Sequence, residues 1–369
     1  MWINHLSLKN FRSYDELELA LEPGVTIFLG RNGEGKTNIV ESLLYLAFLS
    51  SHRTSNDQPL VKLGNQSAYV RAKTQNTERE ILVELEINAE KANRARINQN
   101  PVRSQKELFG LVQAVYFSPE DLDLVRGDPS GRRRFIDELL TLRSPRLAGV
   151  ISDYERALKQ RNSLLKSRSS YSSLASWDQQ VADFGGEVIA ARLKTLREFE
   201  PIFTEVYKEI NEKKAAAITY KCSIENPSED SKENSDKILA KMAEIKNQEI
   251  DRGLTLVGPH RDDLLLMLGD HFVKGYASHG ESWSISLSLK LATYQLLQND
   301  GLKPILILDD VFSELDEERR EHLVSLANSA EQTLITVAVQ TDLPPHLIGT
   351  TFQVKSGSVK LLSQAKHEA

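Results

Sequence analysis

The sequence predicts an α/β fold, and three observations support that prediction. A short apolar run, Val25–Leu29, leads through a glycine-rich turn into an apolar helical stretch, Ile39–Leu49. A second apolar run, Ile305–Leu308, ends in two aspartates near the other end of the chain. Between these regions, from about residue 141 to 251, apolar residues recur at steps of three or four, the spacing of amphipathic helices.

The predicted α/β domain is discontinuous in sequence. Residues 1–140 and 252–369 are predicted to form this domain, and residues 141–251 an inserted arm rich in helices. Inside the arm, Pro201 is expected to kink or restart the longest helix. The polar and acidic stretch Glu225–Asp236 lacks apolar periodicity and is predicted to be a loop.

Composition restricts the class of protein. The single cysteine, Cys222, excludes a disulfide scaffold. Met1–Ser13 is too polar for a signal peptide, and the longest apolar runs fall far below the ~20 residues that span a bilayer. These features predict a cytoplasmic protein without a membrane partner. The net charge of −6 argues against a uniformly basic surface but leaves room for a local basic patch.

The strongest motif follows the first apolar run and matches G-x-x-x-x-G-K-[ST], the P-loop. Its glycines let backbone N–H groups surround phosphate oxygens, and the next helix directs its positive end at them. Lys36 is expected to reach the β- and γ-phosphates, and the Thr37 hydroxyl to bind Mg²⁺. ATP and Mg²⁺ are therefore the predicted cofactors. The predicted nucleotide-binding residues are Gly30, Arg31, Asn32, Gly33, Glu34, Gly35, Lys36 and Thr37.

The apolar run that ends in Asp309 and Asp310 has the form of a Walker B strand. A carboxylate at the end of such a strand, beside a P-loop, can hold Mg²⁺, which is the role expected for Asp309. Asp310 is expected to orient or deprotonate the attacking water, with Lys36 as the other catalytic residue. The alternative for the pair is a strand that ends in solvated acids.

Two further motifs flank the Walker B strand. Ser278-His279-Gly280-Glu281 opens a predicted helix, and Ser313-Glu314-Leu315-Asp316 follows the aspartates. Taken alone, the first motif could be an ordinary helix cap with an acid in its first turn. With the P-loop, the insertion and the Walker B strand, however, the order of motifs resembles ABC-type ATPases. The resemblance implies that residues 1–140 and 252–369 form an ABC-type P-loop ATPase head.

That resemblance assigns roles to both motifs. It implies that Ser278, Gly280 and Glu281 of one subunit contact the γ-phosphate held by the other, with Ser313 and Asp316 in the D-loop. ATP would then join two copies head to tail, and the positive end of a helix suits that contact.

The chain resembles one group within this class more closely, the RecF family of bacterial recombination mediators. The resemblance implies an ATP-dependent DNA-binding protein of repair and replication-fork recovery. It implies slow ATP hydrolysis and binding to gapped DNA or to junctions of single and double strands. It further implies that RecO and RecR are partners, that the protein helps to load RecA, and that it has a role in SOS induction. Its matching stretches are Leu8-Lys9-Asn10-Phe11-Arg12-Ser13-Tyr14, Phe117-Ser118-Pro119-Glu120-Asp121-Leu122, Arg132-Arg133-Arg134-Phe135-Ile136-Asp137, Gly258-Pro259-His260-Arg261-Asp262-Asp263 and Tyr276-Ala277-Ser278-His279-Gly280.

The chain departs from the family pattern at the helix that follows Ser278. The motif continues as Glu281-Ser282-Trp283, whereas the family more often has Gln and a following Arg in this stretch. Asp310 replaces the catalytic Glu of ABC transporters, and this shorter acid suggests a switch rather than a motor. Arg12 is a candidate for contacting nucleotide because of its place in the first matching stretch.

DNA has one candidate surface in the sequence. Residues 131–170 hold ten Lys and Arg against four Asp and Glu, a net charge of +6 that includes Arg168. Phosphate binding without base recognition needs such a stripe. Arg132, Arg133 and Arg134 are the candidate DNA-binding residues, but they could instead pair with acids of the ATPase head.

Two other functions are alternatives. A transporter-type ABC ATPase subunit is disfavoured by the helical insertion and by Asp310. Another SMC/Rad50-like ATPase is disfavoured because the arm is too short for a coiled-coil tether.

Overall fold

The computed structural model describes residues 1–54, 56–75, 79–167, 172–211 and 214–364. The chain divides into two compact units, the first formed by Met1–Asp121 with Thr293–Ala369 and the second by Leu122–Ala292. Helices and strands are mixed throughout, which confirms the predicted α/β class. The arm predicted at residues 141–251 lies inside the second unit, and its extent as an inserted domain stays a prediction.

The first unit contains an antiparallel sheet with the strand order β2-β1-β4-β5-β6-β7. Buried and exposed positions alternate along β4, as expected where one face of a sheet covers a core. The strands are β1 (Trp2–Phe11), β2 (Tyr14–Ala20), β4 (Ser67–Gln75), β5 (Glu80–Asn88), β6 (Arg94–Ile97) and β7 (Asn100–Pro101).

A second sheet in the same unit has the order β15-β14-β3-β13-β12-β8, and all its pairings are parallel except that of β14 with β15. Every residue of β12 and β13 is buried, as in parallel sheets covered on both faces. The strands are β3 (Gly24–Leu29), β8 (Ala114–Phe117), β12 (Ile305–Asp309), β13 (Gln332–Val337), β14 (Thr350–Lys355) and β15 (Ser358–Ser363).

Helix α1 (Lys36–Phe48) is packed into the core that the two sheets share. Its Ile39 and Leu43 join Ile307 of β12 and Leu8 of β1 in one apolar cluster. This packing fixes the start of α1 at the edge of the parallel sheet where β3 and β12 end, with β13 between them. The sequence turn between β3 and α1 is therefore held beside the end of β12.

The second unit combines helices with a small antiparallel sheet of order β11-β10-β9. Its elements are α2 (Leu122–Arg126), α3 (Pro129–Arg143), α4 (Arg146–Ser167), α5 (Ser172–Ile210), β9 (Ala216–Lys221), α6 (Ser231–Glu244), α7 (Lys246–Arg252), β10 (Asp263–Leu268) and β11 (His271–Phe272). Helix α8 (His279–Asn299) begins in this unit, and α9 (Glu317–Ser329) belongs to the first. The core of the second unit is built around Tyr154, Val181, Ile189 and Ile238.

Pro201 does not restart the long helix, because α5 runs from Ser172 to Ile210 with the proline inside it. A proline removes the hydrogen bond to the carbonyl four residues earlier, here that of Arg197. Both residues are exposed, so water can satisfy that carbonyl. Of the two predicted outcomes, the restart was therefore wrong, and the kink stays a prediction.

The predicted acidic loop is half helical, because α6 begins at Ser231. The Asp230 carboxylate accepts a hydrogen bond from the Glu233 N–H at 2.8 Å and so caps the helix. The polar side chain of Ser235 is buried because α6 lies against Gly186 of α5, where a Cβ would be 2.4 Å from the Ser231 oxygen. A contact built on small and polar residues leaves no apolar periodicity in the sequence.

No helix in the described part of the chain is both long and apolar enough to cross a membrane.

Candidate nucleotide site

The turn between β3 and α1 has the backbone of a phosphate-binding loop. Gly33 and Gly35 adopt φ angles of 85° and 109°, a region that favours glycine. A Cβ on Gly35 would lie 2.9 Å from both Ser13 Oγ and Tyr14 Oη, and one on Gly30 would lie 2.3 Å from a backbone oxygen of β14. The loop therefore has room for backbone only at Gly30 and Gly35.

Lys36 begins α1 and directs its ammonium back over the loop. Its Nζ donates to the Gly30 carbonyl oxygen at 2.6 Å and lies 3.3 Å from both the Arg31 oxygen and Asn32 Oδ1. Burial lowers the pKa of Lys36, and the carboxylates of Asp310 and Asp309 partly offset this effect. A buried ammonium over a glycine-rich loop favours an anionic ligand.

Asp309 is the centre of a buried hydrogen-bond network at the end of β12. Thr37 Oγ1 donates to Asp309 Oδ1 at 3.1 Å, and Thr336 Oγ1 donates to the same oxygen. Tyr116 Oη donates to Asp309 Oδ2 at 3.1 Å and lies 3.1 Å from His52 Nε2. Burial raises the pKa of Asp309, and the three hydroxyl donors oppose that shift. The network holds the Asp309 carboxylate next to the hydroxyl of Thr37.

Asp310 turns away from the strand and faces the loop. Its φ of 57° is left-handed, which Asp tolerates better than most residues. It lines a cavity of about 250 Å³ together with Gly33, Gly35 and Lys36. Ser313 donates to the Asp310 carbonyl oxygen at 3.1 Å, which ties the next segment to this turn. Asp310 is thus placed where it can contact a molecule bound over the loop.

Asp316 serves as a helix cap in this structure. Its carboxylate accepts a hydrogen bond from the Arg319 N–H at 3.1 Å at the start of α9 and forms an ion pair with the same arginine. Its predicted D-loop role therefore stays a prediction.

Arg53 lines the same cavity, although no motif in the sequence points to it. Its Nη1 donates to Asn38 Oδ1 at 3.2 Å, and it also contacts Glu41, which is fully buried. Arg12 pairs with the same Glu41 carboxylate through two nitrogens. Arg12, predicted as a nucleotide contact, is thus committed to Glu41, while the half-exposed Arg53 faces the cavity.

These residues fit a nucleotide with a divalent cation. The loop offers N–H groups and the Lys36 ammonium for phosphates, and Thr37 with Asp309 offers two oxygen ligands to a hard cation. Among the described residues, no group of three or more His, Cys, Asp or Glu is arranged to hold a metal ion. The remaining ligands would come from phosphates and water, which is how Mg²⁺ is usually bound with nucleotides.

The predicted signature residues lie at the start of α8, in the second unit. Ser278 Oγ accepts a hydrogen bond from the Glu281 N–H at 3.2 Å, and Glu281 Oε2 accepts one from the Ser278 N–H at 2.8 Å. This reciprocal pair is a capping box, so the helix-cap alternative describes the side chains as they stand. Gly280 lies between them in the first turn of α8.

Comparison with known proteins identifies the family. Residues 2–351 match the family model described as RecF/RecN/SMC N terminal domain. The chain is 49% identical to the DNA replication and repair protein RecF of Streptomyces avermitilis, over 98% of this chain and 100% of that protein. The chain belongs to the RecF family. It is also 46% identical to the RecF of Rhodococcus erythropolis, over 96% and 94% of the two chains.

Solved structures extend the likeness from sequence to fold. The structure of "the recombination mediator protein RecF-ATP in RecFOR pathway" superposes with a TM-score of 0.90 at 26% identity, over 98% of both chains. An Smc head bound to the C-winged helix domain of ScpA superposes with a TM-score of 0.59 at 15% identity, over 99% and 98% of the two chains. The RecF-family chain therefore has the predicted ATPase head fold, and a near full-length match to RecF displaces the transporter alternative.

Arg132 is an internal residue of this RecF-family chain. It is buried and donates through Nε and Nη2 to the two Asp263 carboxylate oxygens at 2.8 and 2.9 Å. Arg133 Nη1 donates to the Asp262 carbonyl oxygen, and Arg134 pairs with Glu138 one turn along α3. Arg132 therefore pairs with an internal acid, as the alternative interpretation of the arginine cluster expected. Arg134 is exposed and accessible to a ligand.

The basic stripe of residues 131–170 has a second, exposed part on α4. Arg156, Lys159 and Lys166 are exposed and fall within about 80° of one another around the helix. Arg168, a member of the predicted stripe, lies outside the described residues. Arg161 is buried, where it pairs with Glu249 and Asp178. The stripe is therefore a mixture of structural and surface cations.

Sequence reasoning missed three side chains around the site: Tyr116, His52 and Arg53. Tyr116 lies on β8, which pairs with β12, so its hydroxyl reaches Asp309 across 193 positions of sequence. Nothing near Tyr116 in the sequence signals this role, because the strand pairing alone creates the contact. Arg53 follows α1 closely in the sequence, but no motif marks it.

Proposed function

We propose that this RecF-family chain is an ATP-driven DNA-binding switch of recombinational repair. The observation that carries the proposal is the placement of Lys36, Thr37 and Asp309 around one glycine loop, with Thr37 Oγ1 and Asp309 Oδ1 3.1 Å apart. A structural relative at TM-score 0.90 is named as RecF with ATP, which supports ATP as the nucleotide.

Each residue of the site has a distinct role in the proposal. Lys36 and the loop N–H groups bind the β- and γ-phosphates, and Arg53 adds a second cation from the cavity wall. Thr37 and Asp309 hold Mg²⁺, which supplies charge neutralisation for the phosphates. Tyr116 and Thr336 fix the Asp309 carboxylate, and Asp310 orients the attacking water. The short Asp310 side chain favours slow hydrolysis, as a switch requires.

The proposed switch works through a second copy of the chain. The start of α8, with Ser278 and Gly280, meets the γ-phosphate bound by the partner, so ATP joins two copies head to tail. Ser313 and Asp316 lie on the segment after the Asp310 turn and contribute to the same interface. Hydrolysis removes the γ-phosphate contact, and the dimer reopens.

DNA binding in this proposal depends on dimerisation. One copy presents the exposed cations of α4, and a dimer presents two such stripes to the phosphates of one DNA molecule. Gapped DNA with a junction of single and double strands is the proposed substrate. The RecFOR pathway named for the structural relative supports RecO and RecR as partners, and assistance to RecA loading as the outcome.

Charge reversal on α4 tests the DNA surface. Lys159→Glu with Lys166→Glu should weaken binding to a fluorescent gapped duplex by about tenfold or more, because fewer DNA counterions are released when fewer phosphates are neutralised. The slope of log Kd against log salt should fall by about one for each phosphate that the protein no longer neutralises. Anisotropy titrations with ATPγS and Mg²⁺ at several salt concentrations measure both quantities.

A matched variant makes this test specific to the surface. Lys232→Glu with Lys241→Glu makes the same charge change on α6 and should alter the salt slope little. Equal weakening of binding in both double variants would show that net charge alone matters and that α4 is not the DNA surface.

A further inference from the structure

The backbone N–H groups at the start of α8 are capped by side chains of the same helix turn. A phosphate at a helix start is bound by backbone N–H groups that have no partner inside the helix. Here the Ser278 N–H donates to Glu281 Oε2 at 2.8 Å, and the Glu281 N–H donates to Ser278 Oγ. A carboxylate therefore already occupies one of the donors that an incoming phosphate would use.

A lysine from a distant part of the second unit neutralises this carboxylate. Lys214 Nζ donates to the other oxygen of Glu281, Oε1, at 2.8 Å. The lysine precedes β9, 67 positions before Glu281 in the chain. Its hydrogen bond, followed by those from Ser278, lowers the pKa of Glu281 to about 2, which shows that these contacts stabilise the ionised form.

The pair changes what a second copy meets at α8. An uncompensated carboxylate at this point would repel the γ-phosphate that the proposed dimer brings to it. With Lys214 bound, the side chains of the pair contribute no net charge, and the positive end of the helix remains. The lysine therefore offsets the negative charge that Glu281 brings to the start of α8.

We propose that Lys214 is a positioning residue for nucleotide-driven dimerisation, because it neutralises Glu281 where α8 receives the phosphate of a second copy. The inference rests on the proposed function and adds a residue to its site. It also explains how a signature motif with an acid can serve an anionic ligand.

A charge cycle tests the inference. Relative to the native pair, Lys214→Ala leaves a net charge of −1, Glu281→Gln leaves +1, and the double variant leaves none. The dissociation constant of the ATPγS dimer should rise about three- to tenfold in Lys214→Ala and fall by a similar factor in Glu281→Gln. The double variant should return close to the native value. Sedimentation velocity over a concentration series, with ATPγS and Mg²⁺, measures all four proteins.

The two single variants separate an electrostatic role from a structural one. If the pair merely held the fold, breaking it from either side would weaken the dimer, whereas the electrostatic role predicts opposite changes in Lys214→Ala and Glu281→Gln. Glutamine can still cap the Ser278 N–H, so Glu281→Gln keeps the helix start. Lys208→Ala, an equal change of charge at an exposed position on α5, is the control and should leave the dimer unchanged. Raising the salt concentration should narrow the spread among the four proteins.

The native protein distinguishes the two ways of failing. If it remains monomeric with ATPγS, the proposed dimer is wrong, and with it the role of Lys214 in dimerisation. If it dimerises and all four proteins share one dissociation constant, the proposed function stands and the role of Lys214 is refuted.

Discussion

Lys36→Ala is expected to lower the affinity for Mg²⁺·ATPγS by at least about tenfold and to abolish nucleotide-driven dimerisation. The ammonium lies over the glycine loop, 2.6 Å from the Gly30 carbonyl oxygen, where a phosphate would meet it. A hydrogen bond to a charged group contributes about 1.5–3 kcal/mol, which corresponds to roughly ten- to 150-fold in affinity. Isothermal titration calorimetry measures the decrease in affinity directly.

Two companion variants sharpen the Lys36 experiment. Lys36→Arg keeps the charge but places a planar guanidinium in a space bounded by the loop backbone. Nucleotide-driven dimerisation should therefore also weaken in this variant. Lys303→Ala removes an exposed lysine of the same unit and should bind nucleotide as the native protein does. If Lys36→Ala bound Mg²⁺·ATPγS with native affinity, the glycine loop would not be part of the nucleotide site.

Arg132→Ala is expected to destabilise the protein by about 3–5 kcal/mol, because it leaves the Asp263 carboxylate without its partner in a mostly buried position. Arg132 also donates to the carbonyl oxygens of Leu124 and Gly127, and these acceptors would be left without that donor as well. Urea denaturation, followed by a probe in the second unit, measures the change in the free energy of unfolding.

Arg134→Ala is the matched control, two positions away on the same helix. Its pair with Glu138 is partly exposed and lies one helical turn apart, so the destabilisation should not exceed about 1 kcal/mol. The comparison decides between the two interpretations of the arginine cluster. A native stability for Arg132→Ala, combined with weak DNA binding, would contradict the structural role and favour a DNA contact at Arg132.

The parts of the site that the sequence predicted are those encoded by neighbouring residues. A P-loop is a continuous stretch whose glycines dictate the backbone, and an apolar strand that ends in Asp309 and Asp310 is visible as a pattern. The side chains that complete the site come from elsewhere. Tyr116 reaches Asp309 only through strand pairing, and Lys214 reaches Glu281 only through tertiary packing.

Charge patterns are the least informative feature for the same physical reason. A count of cations in residues 131–170 treats Arg132, Arg161 and Lys159 alike, yet the first two are buried in ion pairs and the third is exposed. The acidic stretch before α6 resembles a loop in sequence because its helix is capped by Asp230 and packed through small residues. Burial depends on partners that are distant in sequence.

The central claim is that the start of α8 in one copy completes the nucleotide site of another. Mixing two defective variants tests it directly: Lys36→Ala, which lacks a working loop, and Ser278→Glu, which places a negative charge where the phosphate should meet α8. A head-to-tail heterodimer of the two contains one site in which both halves are native. Sedimentation velocity with ATPγS and Mg²⁺ should show monomers for each variant alone and dimers for the mixture. If the native protein dimerises under these conditions while the mixture stays monomeric, the account of a site shared between two copies is wrong.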